Sequence, residues 1–224
     1  MHNKGPGVRT DGVQIPAGPI ALHGELTAPP GARGIVIVGY RRALAQAYAD
    51  LGAVAALQAS GLGTLWVNLL PEETNVESPP EVHAELHPRV GLLVSRLAAV
   101  ARWAAENLPG SRAGLGVFAF AADTGAALAA AALDDVRIGA LVCVAGRPDL
   151  AGDALQHVRA PTLLIVGEND EPVATLNRYT QHELSSEKRL EVVRGATHTF
   201  EQRESRERVA SLASDWFLTH FGTR

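Results

Sequence analysis

Three short segments of this sequence gather side chains able to move protons or attack carbon. Ala121-Ala122-Asp123-Thr124-Gly125 is a turn of small residues that carries one carboxylate. Gly167-Glu168-Asn169-Asp170-Glu171-Pro172 carries a second at Asp170, and Gly195-Ala196-Thr197-His198 ends on a histidine 28 positions after it. A carboxylate that orients an imidazole makes a general base, and a carboxylate held in a tight turn is a competent nucleophile toward carbon. The chain order is turn residue, acid, histidine.

Residues so far apart need a frame that returns them to one place. The chain alternates short β-branched runs with longer Ala/Leu-rich amphipathic runs. Strands are predicted at Gly34–Gly39, Thr64–Leu69, Leu115–Phe120, Gly139–Val144, Thr162–Val166 and Arg189–Val193. Helices are predicted at Ala43–Ser60, Pro88–Asn107, Gly125–Leu133, Val173–Leu184 and Glu204–His220. Near-continuous apolar strands separated by helices make a doubly wound, mostly parallel α/β sheet covered on both faces. Such a sheet collects function at the carboxyl ends of its strands, where all three segments fall. Gly12–Ile15 and Ile20–Thr27, flanking Pro16-Ala17-Gly18-Pro19, read as an antiparallel hairpin added at one sheet edge. Pro71–His87 reads as a surface loop in which His83 and His87 are solvated, and no domain boundary interrupts residues 1–224. Gly61-Leu62-Gly63 lacks the third glycine that a dinucleotide fingerprint needs and reads as a plain loop.

Composition narrows the class. At 224 residues, 46% hydrophobic, with 20 basic against 24 acidic residues, the chain is one globular domain rather than a disordered or polybasic one, so no nucleic-acid partner is expected. Its apolar runs are far shorter than the ~20 residues a membrane helix requires. The N-terminus lacks the apolar core of a signal peptide, and the single cysteine, Cys143, sits in a buried-strand pattern; both suggest a cytoplasmic protein. His157, His182 and His220 have no partner ligand at i+3 or i+4, so no metal is expected. Trp66 falls in a strand, while Trp103 and Trp216 read as helical core anchors. Abundant alanine and only 5% aromatics imply an interior of small aliphatics, and the general frequency of two-fold assemblies leaves a homodimer open.

Together these features resemble the α/β-hydrolase superfamily, in particular its small capless dienelactone-hydrolase-like branch. The resemblance runs from the first hairpin through Trp216-Phe217-Leu218 and is strongest over Gly146–Gly152, Ala160–Gly167 and Gly195–His198. It implies that Asp170 and His198 are acid and base. Two departures bear on the chemistry. The family's elbow, G-x-S-x-G, reads here Ala121-Ala122-Asp123-Thr124-Gly125, with aspartate in place of serine. The His-Gly that usually follows the first central strand reads Gly39-Tyr40-Arg41-Arg42. Both argue against ordinary serine-esterase activity.

Within the superfamily, epoxide hydrolases and haloalkane dehalogenases use an elbow aspartate as nucleophile, forming an alkyl-enzyme ester that histidine-activated water hydrolyses. By that likeness Asp123, Asp170 and His198 form a triad opening an epoxide-like ring or displacing a leaving group on a small organic molecule. The Thr124 N–H then serves as oxyanion donor and Tyr40 or Arg41 assists the departing oxygen. His198, between two carboxylates, is expected as an imidazolium. Asn68 is placed to line the site and Arg147 to bind an anionic substrate group, with Glu168, Asn169 and Glu171 solvated beside the acid. No organic cofactor is expected. The alternatives are a non-catalytic binding or interaction role, and a lyase or isomerase using Asp123 as general base. Ala145–Ala160 leaves room only for a short helix, so no cap domain is expected.

Overall fold

The computed structural model describes residues 9–71 and 86–222. Eight strands form one sheet in the order β1-β2-β4-β3-β5-β6-β7-β8. They are β1 (Arg9–Ala17), β2 (Ile20–Ala28), β3 (Ile35–Tyr40), β4 (Gly63–Asn68), β5 (Leu115–Phe120), β6 (Ala140–Val144), β7 (Thr162–Gly167) and β8 (Lys188–Val193). From β4 to β8 every pairing is parallel, whereas β1 pairs β2 and β2 pairs β4 antiparallel. This is the expected doubly wound, mostly parallel sheet with its N-terminal hairpin at the edge. The hairpin is longer than its apolar pattern suggests and turns tightly at Gly18-Pro19, Gly18 taking a φ of 66°. Pro16 is tolerated inside β1 because that strand has only one neighbour.

The helices are α1 (Ala45–Asp50), α2 (Ala53–Ala59), α3 (Leu86–Asn107), α4 (Asp123–Ala131), α5 (Glu171–Glu183) and α6 (Arg203–His220). The single helix expected over Ala43–Ser60 is broken, because Gly52 adopts φ 65° and separates α1 from α2. Between β6 and β7 runs a 3₁₀ segment, Pro148–His157, kinked at Gly152, and no cap is inserted. Residues 72–85, which make up most of the predicted Pro71–His87 loop and include His83, lie outside the described residues, as does the His87 side chain.

The alternation of side chains along the strands splits the core into two layers. Ile35 and Ile37 face a cluster with Leu97, Ala101, Leu128 and Cys143, under α3 and α4. Val36 and Val38 face another with Leu57, Phe118, Phe200 and Phe217, under α2 and α6. Each of the large fully buried side chains contributes about 2 kcal/mol of apolar burial. Small residues supply the clearance for the few aromatics. A Cβ on Gly114 would lie 2.2 Å from the Phe221 ring, and one on Gly116 2.5 Å from Phe217. Trp216 is buried with its Nε1–H donating to the Pro161 carbonyl at 3.4 Å, and Trp103, on α3, packs half-buried against the first cluster. Among the described residues no helix is long and apolar enough to cross a membrane.

Candidate active site

β5 leaves the sheet through Ala121, which holds φ 53°, and the chain enters α4 at Asp123. Left-handed backbone costs a residue with a Cβ about 1–3 kcal/mol unless its surroundings enforce it. Here they do. The Ala121 N–H donates to Val144 O at 2.9 Å, and its carbonyl accepts from Thr124 N–H at 3.3 Å, Thr124 Oγ1–H at 2.8 Å and Arg147 N–H at 3.2 Å. Ala145, at the end of the neighbouring β6, is left-handed as well, at φ 46°. The turn is therefore strained at Ala121, two residues before the position the G-x-S-x-G alignment centres on. This changes one expectation directly. Thr124 is fully buried and its N–H is taken by Ala121 O, so in this structure it is a turn-forming donor rather than an open oxyanion donor.

Asp123 opens α4, where the positive end of the helix dipole favours a carboxylate. Its side chain is only 3% exposed, and Arg41 Nε–H donates to its Oδ1 at 2.7 Å. A guanidinium compensates the loss of water around a buried carboxylate, which is why the charge can stay there. Arg41 stands directly after β3, next to β5 in the sheet, so the pairing follows from strand order.

On the other side of the site, the β7–α5 turn carries Asp170 and the turn after β8 carries His198. His198 Nδ1 lies 2.7 Å from Asp170 Oδ2, so Nδ1–H donates to the carboxylate. Among the described residues Nε2 makes no hydrogen bond, and the His198 side chain is 47% exposed. Its ring centroid lies 6.2 Å from that of Phe120, the last residue of β5, which brings the histidine over the elbow. The expected arrangement of two carboxylates around one imidazole is thus divided: Asp170 bonds His198, while Asp123 bonds Arg41.

Glu168 and Asn169, expected as solvated, instead tie the histidine turn down. Gly195 N–H donates to Glu168 Oε2 at 2.8 Å, Asn169 Nδ2 donates to Gly195 O at 3.1 Å, and Asn169 N–H to Ala196 O at 2.9 Å. Gly167 makes this approach possible, because a Cβ there would lie 2.5 Å from Ala196 O and 2.6 Å from Thr197 O. Glu171 is turned away, onto Arg178 at 2.8 Å, and that cation holds its carboxyl below the ordinary value.

The remaining candidates have local partners. Tyr40 stacks at a tilt on Trp66, with centroids 4.8 Å apart. Asn68 Oδ1 accepts from Leu70 N–H at 3.1 Å and closes the turn after β4, so this oxygen is spent on the backbone rather than on the site lining. Arg147 forms a two-pronged pair with Asp149 at 2.9 and 2.7 Å, which holds the guanidinium more firmly in its charged form. That pair occupies the face with which Arg147 was expected to meet a substrate anion.

Two buried polar residues escaped the sequence reading. Asn177 of α5, fully buried, donates through Nδ2 to Gly146 O at 3.1 Å and Val173 O at 2.8 Å, pinning the turn that supports Ala121. Arg96 of α3, 7% exposed, donates to Leu69 O at 2.7 Å. Their only signal is polarity at positions where the helical period expects apolar residues.

No family model matches the chain. In fold it is similar over its whole length to a dienelactone hydrolase from Anabaena variabilis, with a TM-score of 0.84, 35% identity, and 96% of this chain and 99% of that one covered. The chain belongs to the dienelactone-hydrolase-like α/β-hydrolases. A structure from Klebsiella pneumoniae named "putative dienelactone hydrolase", at TM-score 0.75 and 19% identity, covering 94% of this chain and 98% of that one, repeats the fold. Two Mycobacterium tuberculosis sequences named "putative phosphoribosyl transferase" are 39% identical over 220 residues, covering 96% of this chain and 47% of theirs. The chain thus spans about half the length of those curated relatives.

Proposed function

We propose that this dienelactone-hydrolase-like chain hydrolyses a small electrophilic organic molecule at the strand ends, through a covalent ester on Asp123. The observation that carries the reading is the pair of separate carboxylates at the strand ends: Asp123 after β5, held by a guanidinium, and Asp170 after β7, on a histidine whose Nε2 is uncommitted among the described residues. One oxygen of Asp123 attacks an sp³ carbon. The bond from that carbon to its oxygen or leaving group breaks, and the departing group takes the electron pair and, for an alkoxide, a proton from solvent. His198 Nε2 then takes a proton from water, whose oxygen adds to Asp123 Cγ. Negative charge collects on the former carboxylate oxygen, and Arg41, 2.7 Å from Oδ1, is placed to stabilise it. Collapse of this intermediate, with His198 giving its proton to the departing oxygen, expels the product alcohol, and the carboxyl group left behind loses its proton to solvent to restore the carboxylate.

A second reading has its own observations. Asp123 is 3% exposed, and the residue at the left-handed apex, Ala121, offers only a methyl group, so a site that binds without turnover also fits. In both readings the partner is a small molecule. We assign the phosphoribosyl transfer in the M. tuberculosis names to the part of those proteins outside the match, since an acid–histidine pair above an elbow suits hydrolysis. Single-turnover reaction in ¹⁸O-water, with epoxides, lactones and aryl esters as probes, separates the two. Turnover with label in the Asp123 peptide supports the covalent route, and turnover without label overturns it. Binding without turnover, unchanged in Asp123→Asn and His198→Ala, supports the second reading.

A further inference from the structure

The opposite pole of the sheet carries a cleft that the hydrolase reading does not use. It has a volume of about 370 Å³ and opens at the amino-terminal ends of β5 and β6, lined by Arg112, Gly114, Arg137, Gly139 and His220 among others. β5 is 6 residues long, so at ~3.3 Å per residue this cleft lies roughly 20 Å from the elbow.

Its charge is unbalanced. Among the described residues no carboxylate lines it. Of the acids near it, Asp134 pairs with Arg159 at 3.2 Å, Asp135 with Arg102 at 2.9 Å and Glu187 with His220 at 3.1 Å, while Glu106, exposed beside the lining residue Ala105, is not among the lining residues. Arg112 and Arg137, by contrast, make neither an ion pair nor a side-chain hydrogen bond among the described residues. Two guanidiniums facing one cleft without a counter-charge repel each other, and a bound anion removes that repulsion.

We propose that this cleft binds a phosphate-bearing small molecule. A phosphate monoester carries a charge of about −1.5 to −2 at neutral pH, which matches two guanidiniums, and its oxygens accept the paired N–H donors that arginine presents in a plane. The volume accommodates the phosphate with a small organic body attached. The ligand meets the chain far from His198, so occupancy of this cleft is independent of the acid–histidine pair.

The test is a titration of the intact chain with inorganic phosphate and with phenyl phosphate at constant ionic strength, followed by calorimetry and by amide chemical shifts. Saturable binding of phenyl phosphate with stoichiometry one, shifts centred on residues 111–115 and 137–139, and weakening by roughly tenfold or more in Arg112→Gln/Arg137→Gln are expected. Arg159→Gln, which removes an arginine already paired with Asp134, is expected to bind as the parent does. Both cleft arginines are exposed, so the variant keeps its fold, checked by its melting temperature. Non-saturating binding, equal loss in Arg159→Gln, or unchanged affinity in the double variant overturns the proposal.

Discussion

On the β7–β8 side of the strand-end site, His198 is 47% exposed with its Nδ1 2.7 Å from Asp170. On the β3–β5 side, Asp123 is 3% exposed with its Oδ1 2.7 Å from Arg41. The contact distances are equal but their consequences differ. An exposed imidazole keeps one nitrogen for water or substrate, and its carboxylate serves to orient it. A buried carboxylate depends on its partner: the pair itself adds little net stability, yet removing one member strands a charge away from water. One half of the site is therefore open to solvent and the other enclosed, and in the proposed reaction any chemistry at Asp123 has to proceed with Arg41 in contact.

The strongest way to break this contrast is His198→Ala. Once a hydrolysable probe is found, loss of the base is expected to lower kcat/KM by about 10²–10⁴-fold with little change in melting temperature, read from initial rates and thermal unfolding. Full activity in this variant would reverse the roles of the two halves. The buried half should behave the other way in stability. Arg41→Gln removes the guanidinium that donates to the buried Asp123 carboxylate and is expected to cost about 3 kcal/mol in urea unfolding, whereas Arg41→Gln combined with Asp123→Asn recovers most of that loss. If the double variant is as unstable as the single one, the pair is not what keeps Asp123 in place.

A third variant probes the reactive half through its support. Gly167→Ala drives a Cβ toward the Ala196 and Thr197 carbonyls, and backbone cannot yield as a flexible side chain does. A destabilisation of about 1–3 kcal/mol is expected, with activity falling further than stability because the displaced turn carries His198. Equal activity after correction for the folded fraction would show that the turn tolerates misplacement.

Cys143, on β6 between the two halves, gives a pH-dependent prediction. Burial pushes its thiol up to about 12 from an ordinary 9.0. Its neutral form is favoured in the fold, so the stability it contributes is fully present below pH 9 and is lost as pH rises from 9 toward 12, where only the unfolded chain ionises readily. Cys143→Ala should flatten that part of the stability–pH curve, and native protein should react with a thiol reagent only as fast as it unfolds. The smallest effect is expected at Arg147→Gln. The arginine is spent on Asp149, so KM for anionic probes should change by less than about twofold.

The strand and helix pattern was largely legible. Leu115–Phe120 matches β5 at both ends, and the other predicted strands of the parallel part meet the structure within a residue, because near-continuous apolar runs cannot be placed anywhere but between two helical layers, whereas β1 extends two to three residues beyond Gly12–Ile15 at each end. The acid–histidine assignment rested on the position of Asp170 and His198 after strands, and the structure joins them. What could not be read was which acid would meet which partner. Periodicity places Arg41 and Asp123 at neighbouring strand ends but does not say which way their side chains turn. Nor does it reveal that the left-handed residue would be Ala121, since that depends on hydrogen bonds from Thr124 and Arg147 closing around its carbonyl. Glu168 and Asn169 looked solvated for the same reason: their partner, Gly195, is distant in sequence.

Sequence by itself determined the alternating architecture, the hairpin, the absence of a cap between β6 and β7, and the chemical types available at the strand ends, because these depend on local period and on residue identity. Tertiary structure alone decided that Asp123 would be buried against Arg41, that His198 would stay open over Phe120, and that Arg112 and Arg137 would share a cleft at the far pole. Each of these is a meeting of side chains from strands or turns remote in sequence, and burial and charge compensation are properties of the meeting rather than of either residue.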